Sequence, residues 1–396
     1  MRGSVEKTRM RSRNAVSILL CLMVAASGHP RSTAEGPDSS AAWREALPDY
    51  QFSFPRDHAA HPDNRIEWWY YTGNLETRAG RRFGYQLTFF RIGVVSEPGN
   101  VSRWALRDLY MSHFAISDIN RQSFHSFERM NRAGIGWAGA GVSNRNAQEK
   151  EPSGQSAVRV WNEDWEVIIE SGEHELRASE DGFLLDLALK PSKTEVVHGE
   201  KGVSQKGSTT GASHYYSLTR LESSGKIVVD GEEFEVEGLS WMDHEFGTSF
   251  LDDQQVGWDW FSIQLEDGRD LMLFQIRGGD GSIDPRSSGT LVEADGRAIH
   301  LDDEDFSLTP GRVWRSSESG ASYPTTWEVV LAGYGLRLRV TAAFEDQELL
   351  TPESTGVAYW EGSVGIEGYS LSRKIQGRGY LEMTGYAGVS MGAMLR

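Results

Sequence analysis

The 396-residue chain has a single cysteine, Cys21, and it lies in an apolar run near the N-terminus. If that segment is removed, disulfides, thiol nucleophiles and cysteine-based metal knots are all excluded. Long apolar runs are also missing. The longest, Ala15–Ala26, has twelve residues, well short of the ~20 that a membrane-spanning helix needs. Positive charge is scarce: 40 Lys and Arg face 57 Asp and Glu, for a net charge of -17. Such a surface repels phosphate backbones and anionic lipid, so nucleic acid is excluded as a natural partner. Sustained helical periodicity is absent too, which removes bundles and doubly wound folds.

The N-terminal segment reads as an export signal. Arg2, Lys7, Arg9, Arg11 and Arg13 precede the Ala15–Ala26 run, the order of a basic and then an apolar signal region. Residues 1–34 are therefore assigned to a signal peptide, cleaved after Ser27 or near Ala34, and 35–47 to a linker. The expected location is periplasmic or secreted. A lipid anchor on Cys21 would want a small residue before it, and Leu20 is not small.

What the chain has in abundance is glycine, 43 residues, and aromatic side chains at 11%, including 13 Trp. Short apolar runs separated by Gly, Asp and Ser turns predict an all-β protein. The hairpin around Trp258–Leu265, Asp267–Gly268 and Leu271–Arg277 has a counterpart in Glu67–Tyr71, Arg78–Gly80 and Phe83–Phe90. A repeat about 190 residues apart suggests two copies of one β unit. The Glu222–Gly225 turn is taken as their boundary, giving units at 48–224 and 225–396. Arg132–Val142 reads as a loop, and Phe344–Leu350 as helical or irregular.

Chemistry is sought first in Gly238–Arg277. Asp243-His244-Glu245 sets an imidazole between two carboxyls whose pKa values can be pushed apart. On a strand, Asp243 and Glu245 share one face and His244 takes the other. Trp241, Trp258 and Trp260 can line an apolar cavity or shield a cation, or simply pack a core. Asp259 lies between two indoles in sequence, although strand alternation sets it opposite them. Glu67, Trp68, Trp69 and Tyr70 pose the same question in the first unit, and Trp360 repeats the aromatic–acid pattern near the end. A hydrogen-bonded structural corner is the competing reading at Asp243–Glu245. No histidine spacing singles out a metal site. Two textual motifs fail on context. Gly134–Gly139 fits a dinucleotide fingerprint without a strand before it or a helix after it. Gly388–Gly392 fits a nucleophile elbow with only four residues to follow.

Several stretches resemble the AttH family of lipocalin-like proteins, which includes carotenoid 1,2-hydratases and a branch described as secreted hydrolases. They are HPDNRIEWWYYTGNL (61–75), GYQLTFFR (84–91), HYYSLTRL (214–221), WMDHEFG (241–247), GWDWFSIQL (257–265), YWEGSVGIEG (359–368) and GRGYLEMTGY (377–386). The resemblance implies two tandem calycin-type antiparallel β-barrels with an apolar ligand cavity, and no cofactor. The leading expectation is an isoprenoid or lipid-like ligand, with acid-catalysed hydration of a carbon–carbon double bond. Asp243, Glu245 and Asp259 would be the acids. His244 would position water, and Trp241, Trp258 and Trp260 would form an aromatic wall. A non-catalytic lipid carrier, or a hydrolase using a carboxylate-activated water, are the alternatives.

Overall fold

The computed structural model describes residues 43–96, 102, 105–143, 157–207, 211–248 and 251–388. The expected signal segment, Cys21 and Ser390 lie outside them. Nearly all of the regular structure is strand. The first sheet comprises β1 (Ile66–Glu76), β2 (Arg82–Gly93), β3 (Asp108–Asp118), β4 (Ser123–Arg132), β5 (Ala138–Ser143), β6 (Ala157–Asn162), β7 (Trp165–Glu170), β8 (Glu173–Glu180), β9 (Phe183–Pro191), β10 (Val196–Val197), β11 (Val203–Gln205), β12 (Ala212–Val229) and β13 (Glu232–Gly247). Its strand order is β4-β3-β2-β1-β13-β12-β9-β8-β7-β6-β5, with β10 and β11 also paired to β12.

The rest of the chain forms β14 (Gln255–Leu265), β15 (Asp270–Gly278), β16 (Ser288–Val292), β17 (Ala298–Leu301), β18 (Ser307–Pro310), β19 (Val313–Arg315), β20 (Ser322–Pro324), β21 (Thr326–Leu331), β22 (Leu336–Ala342), β23 (Glu348–Leu350), β24 (Ala358–Ser370) and β25 (Arg373–Met383). The second sheet runs β17-β16-β15-β14-β25-β24-β22-β21-β18. In both sheets the first strand is bonded to the second on one side and to the last on the other. Each sheet curls into a nearly closed barrel. In both, the seam falls between the fourth strand of the meander and the next strand in the chain, β4 and β5 in the first sheet and β17 and β18 in the second. The two hairpins recognised in the sequence, β1–β2 and β14–β15, occupy the same place in the two barrels.

Four sequence expectations change. Glu222–Gly225 lies inside β12, and β13 completes the first sheet, so that sheet runs to Gly247 and the second starts at Gln255. The long Ser- and Gly-containing β12 is masked as a turn by its own composition. The Gly/Ala stretch after Arg132 includes the edge strand β5, paired with β6. A strand, β4, does precede Gly134–Gly139, but the segment leads into β5 and not into a helix. Glu348–Leu350 is a strand bonded to β24.

Strand alternation decides which residues meet. Along β1, Trp69, Tyr71 and Leu75 enter the first barrel's core, while Trp68 and Tyr70 turn outward. Along β14, Phe261, Ile263 and Leu265 fill the second barrel, and Trp258 and Trp260 turn outward. The outward rows are buried against each other. Tyr70, Tyr215 and Trp241 of the first barrel share one cluster with Trp260, Phe274 and Tyr380 of the second. Close approach is possible because Gly84 has no side chain: a Cβ there would stand 2.9 Å from Cβ of Ser363. Many polar groups trapped in this contact are paired, as burial favours. Asn74 donates to the Gly379 carbonyl at 3.0 Å. Gln264 donates to the carbonyls of Thr219 and Ser240 at 2.7 and 3.0 Å. Asp270, fully buried, is held by Lys193, Arg220 and Thr219 at 2.6–2.9 Å.

Candidate active site

A cavity of about 60 Å³ opens between the two barrels, enough for roughly five water-sized groups. Its walls are Trp68, Tyr70, Phe90, Tyr215, Trp258, Trp260, Phe274, Ile276 and Tyr359, with Gln86, Lys206, Asp243, Glu245 and Glu382 among them. Neither barrel lumen is involved. The cavity is built from the outward rows of β1, β2, β12, β13, β14, β15, β24 and β25, with Lys206 from the segment after β11.

Asp243 and Glu245 share the outward face of β13 and reach the cavity. Asp243 is surrounded by donors. Its Oδ2 accepts from Tyr215 Oη at 2.6 Å, and its Oδ1 accepts from Trp241 Nε1 at 2.6 Å and from Ser217. Burial outweighs these bonds and pushes Asp243 up to about 7, with Glu245 adding to the rise. Glu245 is ion-paired with Lys206 and bonded to Ser213. The Lys206 ammonium also stands 5.3–5.7 Å from the ring centres of Trp68, Tyr215 and Phe274, within cation–π range.

Glu382, across the cavity, accepts from Trp258 Nε1 at 2.7 Å. Burial is again the main cause that raises it to about 7, and the charges of Asp243 and Glu245 add to it. Directly opposite Glu382 on β24 is Glu361, fully buried and accepting from Tyr70 Oη. Burial and the neighbouring Glu382 hold Glu361 well above the carboxylate range. Adjacent buried carboxyls cannot all ionise without water. Burial thus keeps Asp243 and Glu382 protonated up to about pH 7, among indoles, in a low-dielectric crevice, while Glu245 is ion-paired.

Six of the other expected site residues, His244, Glu67, Asp259, Trp69, Trp241 and Trp360, do not line this cavity. His244 points into the first barrel, where Nε2 meets Glu67 Oε1 at 2.9 Å and Nδ1 meets Tyr216 Oη at 2.9 Å. Burial lowers it, opposed by Glu67. Glu67 is fully buried beside His61 and accepts from Arg91 Nε at 2.9 Å. Burial alone would raise Glu67, but these neighbours hold it well below the usual range. His61, Glu67 and His244 could in principle ligate a metal, their atoms lying within 4.8 Å of one another. Those atoms are spent on one another and on Arg91, and they face away from the cavity. Asp259 sits on the inward face of β14. It is held by Arg277 at 3.1 Å, Gln275 at 2.8 Å and Tyr386 at 3.0 Å. Trp69 and Trp360 are core residues of the two barrels, each anchoring a backbone carbonyl. In each case a one-residue step along a strand reverses the face. Trp241 lies beneath the cavity and acts through Asp243. Trp68, Tyr70, Trp258 and Trp260 line it.

Sequence reasoning missed Glu382, Lys206, Tyr215, Tyr359 and Gln86. Glu382 carried a usable signal, since it faces the Trp258–Trp260 row in the register of β14 and β25. Lys206 sits in a Gly/Ser-rich segment with no pattern to mark it.

Two tandem lipocalin-like barrels with a shared acid-bearing crevice define the class of protein. The AttH-like family profile matches residues 45–386, and the chain belongs to that family. An AttH candidate from Nitrosomonas europaea has a crystal structure that matches 87% of this chain and 99% of its own, at 35% identity and a TM-score of 0.75. Kievitone hydratase of Fusarium solani subsp. phaseoli is 22% identical over 218 residues, 52% of this chain and 58% of that protein. The match thus spans little more than half of that relative's length. The crystal structure of kievitone hydratase from Nectria haematococca shares the fold at 16% identity and a TM-score of 0.61, over 84% of this chain and 92% of that one.

Proposed function

We propose that this protein hydrates an isolated carbon–carbon double bond of an apolar ligand, taking the ligand's reacting end into the crevice between the barrels. The observation that carries this reading is the pair Asp243 and Glu382, both raised to about 7 and both facing an indole-lined cavity. A neutral carboxylic acid can protonate an alkene, and an ionised one cannot. The rings of Trp258, Trp260 and Trp68 shield the cation that forms, and water adds to it. The similarity to a hydratase supports the reaction class. A cavity of about 60 Å³ takes the end of a long isoprenoid and not its whole length. A carrier has no use for buried neutral acids beside the ligand, and a hydrolase would need a free ionised base, whereas the Glu245 carboxylate is taken up by Lys206 and Ser213. The basic and apolar N-terminal segment supports action outside the cytoplasm.

The test is incubation of the purified protein in ¹⁸O-water with lycopene, as an acyclic carotenoid, or with kievitone, followed by mass spectrometry. The expected product is the alcohol carrying one ¹⁸O, lost in D243N and E382Q. No ¹⁸O incorporation with either compound would sink the reading.

A further inference from the structure

One wall of the cavity belongs to a chain of hydrogen bonds that leaves the site and ends at the surface. Tyr359 Oη lies 2.6 Å from Nδ1 of His113. Nε2 of that imidazole lies 2.9 Å from Ser354 Oγ. Ser354 in turn donates to the carboxylate of Glu128, which also accepts from the exposed backbone N–H of Glu353 at 3.0 Å. The four side chains come from both barrels: His113 and Glu128 from β3 and β4, Tyr359 from β24, and Ser354 from the segment before it.

The chain has a direction. An ionised carboxylate only accepts, so Ser354 must donate to Glu128. Ser354 Oγ then accepts from the Nε2–H of His113, and Nδ1, bare in that tautomer, accepts from Tyr359. Every proton points outward. The imidazole is fully buried, and burial lowers it to about 3, so it rests neutral and can pass a proton without storing one. Beside Tyr359 on the cavity wall, the Gln86 carboxamide oxygen is buried yet has no hydrogen-bond partner among the described residues. A buried acceptor without a donor is costly, and a water molecule in the cavity would satisfy it.

We infer that Gln86 holds the attacking water and that Tyr359, through His113, Ser354 and Glu128, carries that water's proton out of the site. This rests on the hydratase reading above. A cavity carboxylic acid gives its proton to one alkene carbon and becomes a carboxylate. The water oxygen bonds to the cationic carbon. As it does, one water proton moves to Tyr359 Oη, the tyrosine proton to Nδ1 of His113, the Nε2 proton to Ser354 and the serine proton to Glu128. The alcohol keeps the water oxygen and its second proton. Glu128 releases its proton to solvent, and solvent restores one to the spent acid. Tyr359 is the catalytic base in this scheme; His113, Ser354 and Glu128 act through it.

The test uses the full-length protein and the substrate that wild type hydrates. H113N keeps an acceptor near the Nδ1 position but is cut off from Ser354. E128Q keeps an acceptor for Ser354 but cannot take up a proton, and its thermal melt is compared with wild type's to show that it is folded. Expected are a kcat about 100-fold lower for H113N and Y359F and a smaller drop for E128Q. KM should be unchanged, and the solvent deuterium isotope effect on kcat should be larger than wild type's. A purely structural role would instead raise KM and leave the isotope effect alone. Full kcat in H113N and E128Q, with D243N and E382Q inactive, overturns the proton path and spares the hydratase reading. No turnover by wild type overturns both.

Discussion

Asp243→Asn tests the burial argument without any substrate. The Asp243 carboxyl, ordinarily at 3.8, is held at about 7 because it is fully buried. Between those two values the folded state keeps a proton that the unfolded chain releases. Stability therefore falls as pH rises through this window, and the loss is complete above about 7. Raising a carboxyl that far costs about 4 kcal/mol in the ionised state. Asparagine never ionises, so it removes the pH-dependent cost. It also turns an NH₂ toward one of three donors, Tyr215, Ser217 or Trp241, at a cost of about 1–3 kcal/mol at any pH. The two effects oppose each other. D243N should gain about 3 kcal/mol on wild type between pH 5 and pH 8 and be the more stable of the two at pH 8. Urea denaturation of both proteins at several pH values reads the difference directly. A difference that stays flat between pH 5 and 8 would mean that Asp243 titrates like an exposed carboxyl, and the acid at the centre of the proposed chemistry would be lost with it.

Three further outcomes follow from the same geometry. Hydration should fall as pH rises through about 7, because Asp243 and Glu382 then ionise, and E382Q should lower kcat by at least about 100-fold; a rate that climbs steadily to pH 9 would contradict this. R277M strips the buried Asp259 of its ion-pair partner and should cost about 3 kcal/mol in chemical denaturation, with most of the loss recovered in the double variant R277M/D259N and no effect on cavity chemistry. Gly84→Val should drive side-chain atoms into Ser363 and Tyr380 of the opposite barrel. It should lower the melting temperature and quench activity while leaving the far-ultraviolet circular dichroism of both barrels unchanged.

The barrels were legible because their signals are local. Hairpin turns such as Asp267–Gly268, with Gly268 at φ +87°, and period-two aromatic rows mark strands wherever they occur. The pairing of Asp243 with Glu245 on one face, and the exclusion of His244 from it, followed from alternation alone. Two kinds of inference failed. The boundary at Gly225 failed because β12 carries Ser223, Ser224 and Gly225 through its middle. Gly225, at φ +149°, packs against the β9 backbone, where a Cβ would meet the Asp186 carbonyl oxygen at 2.2 Å. Composition there reports close approach, not a turn. The site was half seen because proximity in sequence was taken for proximity in space. Glu67 and Asp259 adjoin tryptophans along the chain, yet alternation turns them into the barrels, whereas Glu382, 124 residues from Trp258, accepts its indole hydrogen.

The position of the crevice also explains why acids survive there. In a single lipocalin-like barrel the outward face meets water, and a carboxyl on it would titrate normally. Here the outward rows of two repeated hairpins are pressed together, so Tyr70 and Trp260, equivalent positions in the repeat, meet at 5.2 Å edge to face. That contact removes bulk water from the polar groups between the rows. Carboxyls with a cation beside them, such as Asp270 with Lys193 and Arg220, become structural clamps. Those without one, Asp243, Glu361 and Glu382, are pushed up by burial. Duplication of the barrel thus supplies the low-dielectric walls, and the lack of a cation beside particular carboxyls within them sets which become proton donors. Separating the barrels by a wedge at Gly84 should return Asp243 and Glu382 to ordinary acidity even where each barrel stays folded. Carboxyl ¹³C chemical shifts followed against pH in the Gly84→Val protein would register the drop from about 7, and unchanged values would place the cause inside one barrel.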